Sequence, residues 1–232
     1  MTMPDLEPRN TVERGLARLA VVDHVLVLRL FLGAVFITVF FENLAFNRYT
    51  ADGYTSLIER YAGRNDAPGF WSDGFMQFFA DNSTVFAPLQ AVTELSFGLL
   101  LVVGIASGLV GLAVAGFLAT LWLSELGIFW VWELLGLVMV ALAVGLGSLP
   151  GMLRGSTADR VLGPPSLPSW SLPARLALAP VGGLVLALVI DAAGTGGRSN
   201  GDVSLRAGLV FGGALAVLAV LDGLRLHRRD AA

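Results

Sequence analysis

A chain of 232 residues that is 55% hydrophobic and 14% charged, with a mean hydropathy of +0.73, has too little charge to cover the surface of a soluble domain. A formal net charge of −3 and the lack of any basic stripe with interleaved aromatics set nucleic acid aside as a partner. The absence of cysteine excludes thiol chemistry, disulfides and cysteine-ligated iron–sulfur clusters, and the two histidines, His24 and His227, fall at predicted helix ends, which argues against a haem in the core; no motif fixes a covalent cofactor.

Residues 1–21 are polar, carry Arg9, Arg14 and Arg18, and read as a cytoplasmic N-terminal segment. The apolar run that follows is longer than a signal-peptide core and no small-x-small cleavage site comes after it, so it predicts a retained first span over about 22–44, with Arg29 near its start and Glu42 near its end. The polar stretch 45–84 is far longer than an ordinary connection, which predicts an outer loop that is functional or partly structured. Within it, the aromatic-rich segment Gly69 to Phe79 is too short to cross a bilayer and reads as an interfacial helix.

Asp81 to Thr84 supplies capping side chains for a second span over about 85–106, with Pro88 in its first turns, where a missing N–H costs little. A third span covers about 109–126. The fourth covers about 129–149 and is predicted to stop at the Gly147 to Gly151 segment. Pro164, Pro165, Pro168 and Pro173 make residues 151–173 a linker. Two more apolar runs, about 174–192 and 205–226, form a hairpin over 174–226 with a kink predicted at Pro180, and 227–232 is a tail. The expected fold is an all-α integral membrane protein, a four-helix transmembrane bundle plus a C-terminal two-helix transmembrane hairpin.

Cytoplasmic flanks retain positive charge. With the N-terminus inside, those flanks hold Arg9, Arg14, Arg18, Arg154, Arg160, Arg175, Arg225, Arg228 and Arg229, against Arg48, Arg60, Arg64, Arg198 and Arg206 outside. The expectation is a multi-pass protein of the cell membrane with both termini cytoplasmic. Trp71, Trp122, Trp130 and Trp132 then map to the outer interface and Trp170 to the inner one, as in an aromatic belt.

On this topology Glu42, Glu94, Glu125 and Glu133 all fall in the outer half. Glu94 lies deepest, roughly 15 Å down the axis of the second span. A charged carboxylate near a helix centre costs roughly 2.5–3.5 kcal/mol, so Glu94 must face protein or water, pair with a cation, or stay protonated. The functional reading is an outward-opening pocket built from Glu94, Gln90 one turn above it, Asn43, Glu42 and Glu133, suited to bind a quinone headgroup, relay protons or hold a cation. The simpler reading treats Glu42, Glu133 and above all Glu125 as interfacial charges at helix ends. Arg29 is balanced between a snorkelling and a functional role; it lies about 20 Å along the helix from Glu42 and cannot pair with it. Trp132 is the candidate for stacking on a flat ring, against the favoured role of interface anchor. No phosphate loop, dinucleotide fingerprint, zinc-spaced cluster or nucleophile triad is present, and no metal site is expected.

The segment Arg29-Leu30-Phe31-Leu32-Gly33, the long polar loop, the run from Glu94 to Gly104 and the glycine-rich Gly145-Leu146-Gly147 are similar in order and spacing to the DoxX/DoxD family, over roughly residues 25–150. That resemblance implies a four-helix membrane core and membership of a membrane oxidoreductase system of the thiosulfate:quinone type, with a quinone as cofactor and a partner redox protein or other membrane subunits. Where many members carry a Lys after the first apolar run this chain has Glu42-Asn43, and Ser148-Leu149-Pro150 stands in place of the family's basic residue. Both departures point away from an anion-binding role. The expected function is a quinone-linked subunit in which Glu94 exchanges protons, tuned by Glu42 and Glu133, with a non-catalytic scaffold subunit and a small-solute or proton transporter as alternatives.

Overall fold

The first long helix, α1 (His24–Ala45), forms because its residues are almost continuously apolar; its buried positions Leu26, Arg29, Gly33, Phe36 and Ile37 recur every three to four residues along one face, while Val27 and Phe31 lie exposed on the other. The computed structural model describes residues 24–63, 66–127, 131–154, 167, 171–193 and 200–230. The predicted N-terminal segment, most of the linker, Trp130 and Trp170 lie outside the described residues. Among those described, every regular element is helical.

Six segments are long and apolar enough to cross a membrane: α1, α4 (Ser83–Val103), α5 (Ser107–Ser124), a Glu133–Pro150 stretch within α6 (Val131–Arg154), Leu172–Ala192, and Asp202–Arg225 within α9 (Asn200–Asp230). The class is that of a multi-pass helical membrane protein. Leu172–Ala192 comprises a short α7 (Leu172–Leu176) and α8 (Leu178–Ala193), broken at Ala177. In an unbroken helix the ring of Pro180 would clash with the carbonyl four residues earlier, that of Leu176, which is the last residue of α7. The fourth span, by contrast, continues past its expected end to Arg154, because Pro150 forfeits one hydrogen bond while fixing φ near a helical value.

The long loop over residues 45–84 is itself largely helical. Thr50 caps α2 (Ala51–Ala62), its hydroxyl accepting from the Gly53 N–H at 3.1 Å. A π-helical segment, Phe70–Met76, runs into α3 (Gln77–Asp81) and buries Met76 and Ala80 while Phe70, Phe75 and Phe78 stay exposed.

Close contacts depend on missing side chains. A Cβ on Gly33 of α1 would fall 3.0 Å from the Gly98 carbonyl oxygen of α4 and 2.5 Å from a Val102 methyl; one on Gly111 of α5 would fall 2.6 Å from the Gly145 nitrogen of α6. In the same way α8 lies on α9 where Gly183 faces Gly208. Helix α9 also packs on α1 and α4, through a core that includes Ile37, Val102, Leu215 and Leu218. A second core, with Leu32, Phe36, Leu101, Val114 and Val144, joins α1 and α4 to α5 and α6. Gly183→Ala should lower the thermal midpoint of detergent-solubilised protein, by an overpacking cost of about 1–3 kcal/mol, because its methyl would sit 2.6 Å from the Gly208 carbonyl oxygen; an unchanged midpoint would mean that the two helices separate freely.

Candidate functional site

Helix α4 carries Gln90 and Glu94 one turn apart, and the Gln90 amide Nε2 donates to Glu94 Oε1 at 2.6 Å. The other carboxylate oxygen accepts from Asn43 Nδ2 of α1 at 3.0 Å and from the Tyr49 hydroxyl. Glu94 is only 2% exposed, so its carboxylate has exchanged water for three side-chain donors. Arg48 stands one step behind, its Nη1 donating to Asn43 Oδ1 at 2.9 Å.

The turn after α1 makes this possible. Asn47 has φ +56°, a left-handed conformation that Asn tolerates better than most residues, and the reversal brings Arg48 and Tyr49 back over the end of α1. Tyr49 stacks on Phe40 with ring centroids 5.5 Å apart, which fixes the hydroxyl over Glu94.

Beside the carboxylate lies a cavity of about 180 Å³. Asn43, Arg48, Tyr61, Gln90, Glu94 and Glu125 give it a polar side, and Phe36, Leu57, Phe117 and Leu134 an apolar one. Tyr61, Gln90 and Glu125 also line a second, larger cavity of about 260 Å³ under α2 and the π-helical segment.

The predicted pocket is thus assembled only in part. Glu94, Gln90 and Asn43 come together. Glu42 is half-buried and does not line either cavity, and Glu133 is exposed at the start of α6, where Leu134 and Leu137 line the site instead. Arg29 lies toward the opposite end of α1, donating to Ser107 Oγ at 3.3 Å and filling the turn at Gly104. There a Cβ would meet its guanidinium at 2.2 Å and the backbone has φ +79°. The Trp132 side chain lies outside the described residues. Trp71, read as a belt residue, donates from Nε1 to Ser124 Oγ at 2.9 Å and ties the π-helical segment to the end of α5.

Four residues that sequence reasoning did not place in the pocket complete it: Arg48, Tyr49, Tyr61 and Glu125. Asn47, as a turn former, was the available signal for the first two. Glu125 follows the last residue of a span and looks like an interfacial charge, yet it is 7% exposed. The cause is the 45–84 loop: Asp66 N–H donates to the Leu126 carbonyl at 2.7 Å, and Gly127, with φ +86°, lets Asp66 lie against the turn. That contact roofs the end of α5.

All three tyrosines of the chain, Tyr49, Tyr54 and Tyr61, lie in the loop over residues 45–84. Burial, followed by the charge of Glu94, raises the hydroxyl pKa of Tyr49 and pushes that of Tyr54 up to about 12; burial, followed by the charge of Glu125, raises that of Tyr61. The neutral phenol is therefore the native form. Above an unfolded-state pKa of about 10 the unfolded chain releases these protons first, so stability is intact below pH 10 and falls as pH rises toward 12. Absorbance at 295 nm should show little phenolate at pH 10.5 in the folded protein and a substantial rise on unfolding; an ordinary titration near pH 10 would contradict the burial of these rings.

Among the described residues no group of three or more His, Cys, Asp or Glu side chains is placed to hold a metal ion. No family model, curated protein or solved structure matches the chain.

Proposed function

We propose that the chain is a DoxX-like membrane subunit of a quinone-linked oxidoreductase system, with the pocket at Glu94 facing the outer leaflet and both termini on the cytoplasmic side of the cell membrane. In this reading α1, α4, α5 and α6 are the four-helix core and α7 to α9 an added unit. The observation that carries the proposal is the buried carboxylate held by three donors beside a cavity with one polar and one apolar side.

The donor set suits a quinone ring. Its carbonyl oxygens accept hydrogen bonds, and Arg48, Gln90 and Tyr61 bring donors to the cavity, while Phe36, Leu57 and Phe117 offer apolar walls. A bound quinone supplies the chemistry of taking up two electrons and two protons. A quinone held here would draw its electrons from a partner redox protein, and Glu94 would hold and release a proton at its carboxylate; Asn43, Tyr49 and Gln90 orient that carboxylate, and Arg48 offsets its charge through Asn43.

Purification in mild detergent followed by mass spectrometry of bound small molecules tests this. Quinone should accompany the wild-type chain and be lost from Glu94→Gln. A chain that carries no quinone and binds none when it is added removes the proposal.

A further inference from the structure

Helices α4 and α5 are joined by the short turn at Gly104 to Ala106, yet α4 packs on α1 and α5 packs on α6. Two helices that share one end and lean on different neighbours diverge toward the other. The larger cavity fills this wedge, under α2 and the π-helical segment. Its walls are mostly apolar and aromatic, and it lies next to the Glu94 cavity, with Tyr61, Gln90 and Glu125 lining both.

Of all the side chains lining the wedge, only Leu89 and Thr120 are exposed, one on each spanning helix. Tyr54 and Met76, on the outer-helix side, are buried, and the Trp71 hydrogen bond to Ser124 holds that cover against α5. The mouth therefore lies between the two spans, not through the roof. Leu89 is six residues into α4, about 9 Å below its start, and belongs to a face with Val85 and Val92 that is 52–64% exposed. An apolar face at that depth of a membrane span meets lipid.

We infer that the wedge between α4 and α5 is a lateral portal from the bilayer to the Glu94 cluster, admitting a lipid-dissolved amphiphile whose planar polar head reaches Glu94 while its apolar chain stays between the helices. The inference deepens the quinone reading and rests on it for the head, but the portal itself follows from the position of the mouth. A site served from lipid draws on ligand already concentrated in the membrane. A water-soluble substrate would need an opening through the outer helices.

The chain has no cysteine, so one can be introduced as a unique reporter. Thr93→Cys places a thiol inside the wedge. In lipid nanodiscs it is treated with a long-chain alkyl maleimide, which dissolves in the bilayer, or with a sulfonated, water-confined thiol reagent. Rates are normalised to Val92→Cys on the lipid face and Asp52→Cys on the outer aqueous surface. The alkyl reagent should label Thr93→Cys at least tenfold faster than the sulfonated one, and adding Leu89→Trp at the mouth should slow it at least fivefold. Equal or faster labelling from water, no labelling by either reagent, or indifference to Leu89→Trp overturns the portal. Protection by added long-chain quinone reports separately on the head: labelling without protection keeps the portal and removes the quinone.

Discussion

Under the function proposed above, Glu94→Gln should reduce quinone-linked turnover by at least about 100-fold, the lower end of what a positioned proton-transfer group contributes. The substitution keeps the size of the side chain and removes its capacity to take up and release a proton. It also puts an amide NH₂ where a carboxylate oxygen accepts from a neighbour. Two donors, Asn43 Nδ2 and the Tyr49 hydroxyl, converge on Oε2, and Gln90 Nε2 occupies Oε1, so whichever way the new amide points at least one donor loses its acceptor. Each buried donor left without one costs roughly 1–3 kcal/mol. A modest drop in thermal midpoint should therefore accompany the loss of turnover. Tyr49→Phe supplies the contrast: it removes one donor and leaves the carboxylate, so turnover should fall much less than in Glu94→Gln. Full turnover in Glu94→Gln would show that the cluster is architectural.

The largest stability effect is expected far from that pocket. Asp222 of α9 is fully buried; its Oδ1 pairs with Arg225 Nη1 at 2.5 Å and its Oδ2 accepts from the Leu167 N–H at 2.7 Å. The pair thereby ties a linker residue onto the last helix. Asp222→Ala strips the buried Arg225 of that carboxylate and the Leu167 amide of its acceptor, which should cost about 3–5 kcal/mol. Adding Arg225→Met to Asp222→Ala should restore much of the loss, because a buried ion pair replaced whole by apolar side chains is often close to neutral. Detergent unfolding midpoints of the two variants decide the point: a double variant no more stable than Asp222→Ala would mean that the Leu167 contact, not the charge, dominates.

Hydrophobicity sufficed to read the spans, because a helix in lipid needs only length and apolar side chains, both of which are local properties. Helix ends were harder to read. Pro150 lies inside α6 and the break before α8 sits at Ala177, since a proline's consequence depends on the carbonyl four residues before it and on what the next turn packs against. In the pocket, Glu94 and Gln90 were legible from one helix, being one turn apart on the same face. Asn43 was legible from its place at the outer end of the first span. Glu125 and Tyr61 were not, since each becomes a wall of the site only when the outer loop folds over the end of α5.

By itself the sequence determined six apolar segments long enough to cross a bilayer and a carboxylate well inside one of them, because crossing a bilayer and burying a charge are costs paid residue by residue. Only the tertiary structure decided that Tyr49, Asn43 and Gln90 satisfy that carboxylate, that Glu125 joins the site while Glu133 stays exposed, and that a second cavity lies between α4, α5 and the helices of the 45–84 loop. Those outcomes depend on which helix leans on which, and that is set by contacts such as Gly33 on Gly98 and Gly111 on Gly145, between residues far apart in the chain.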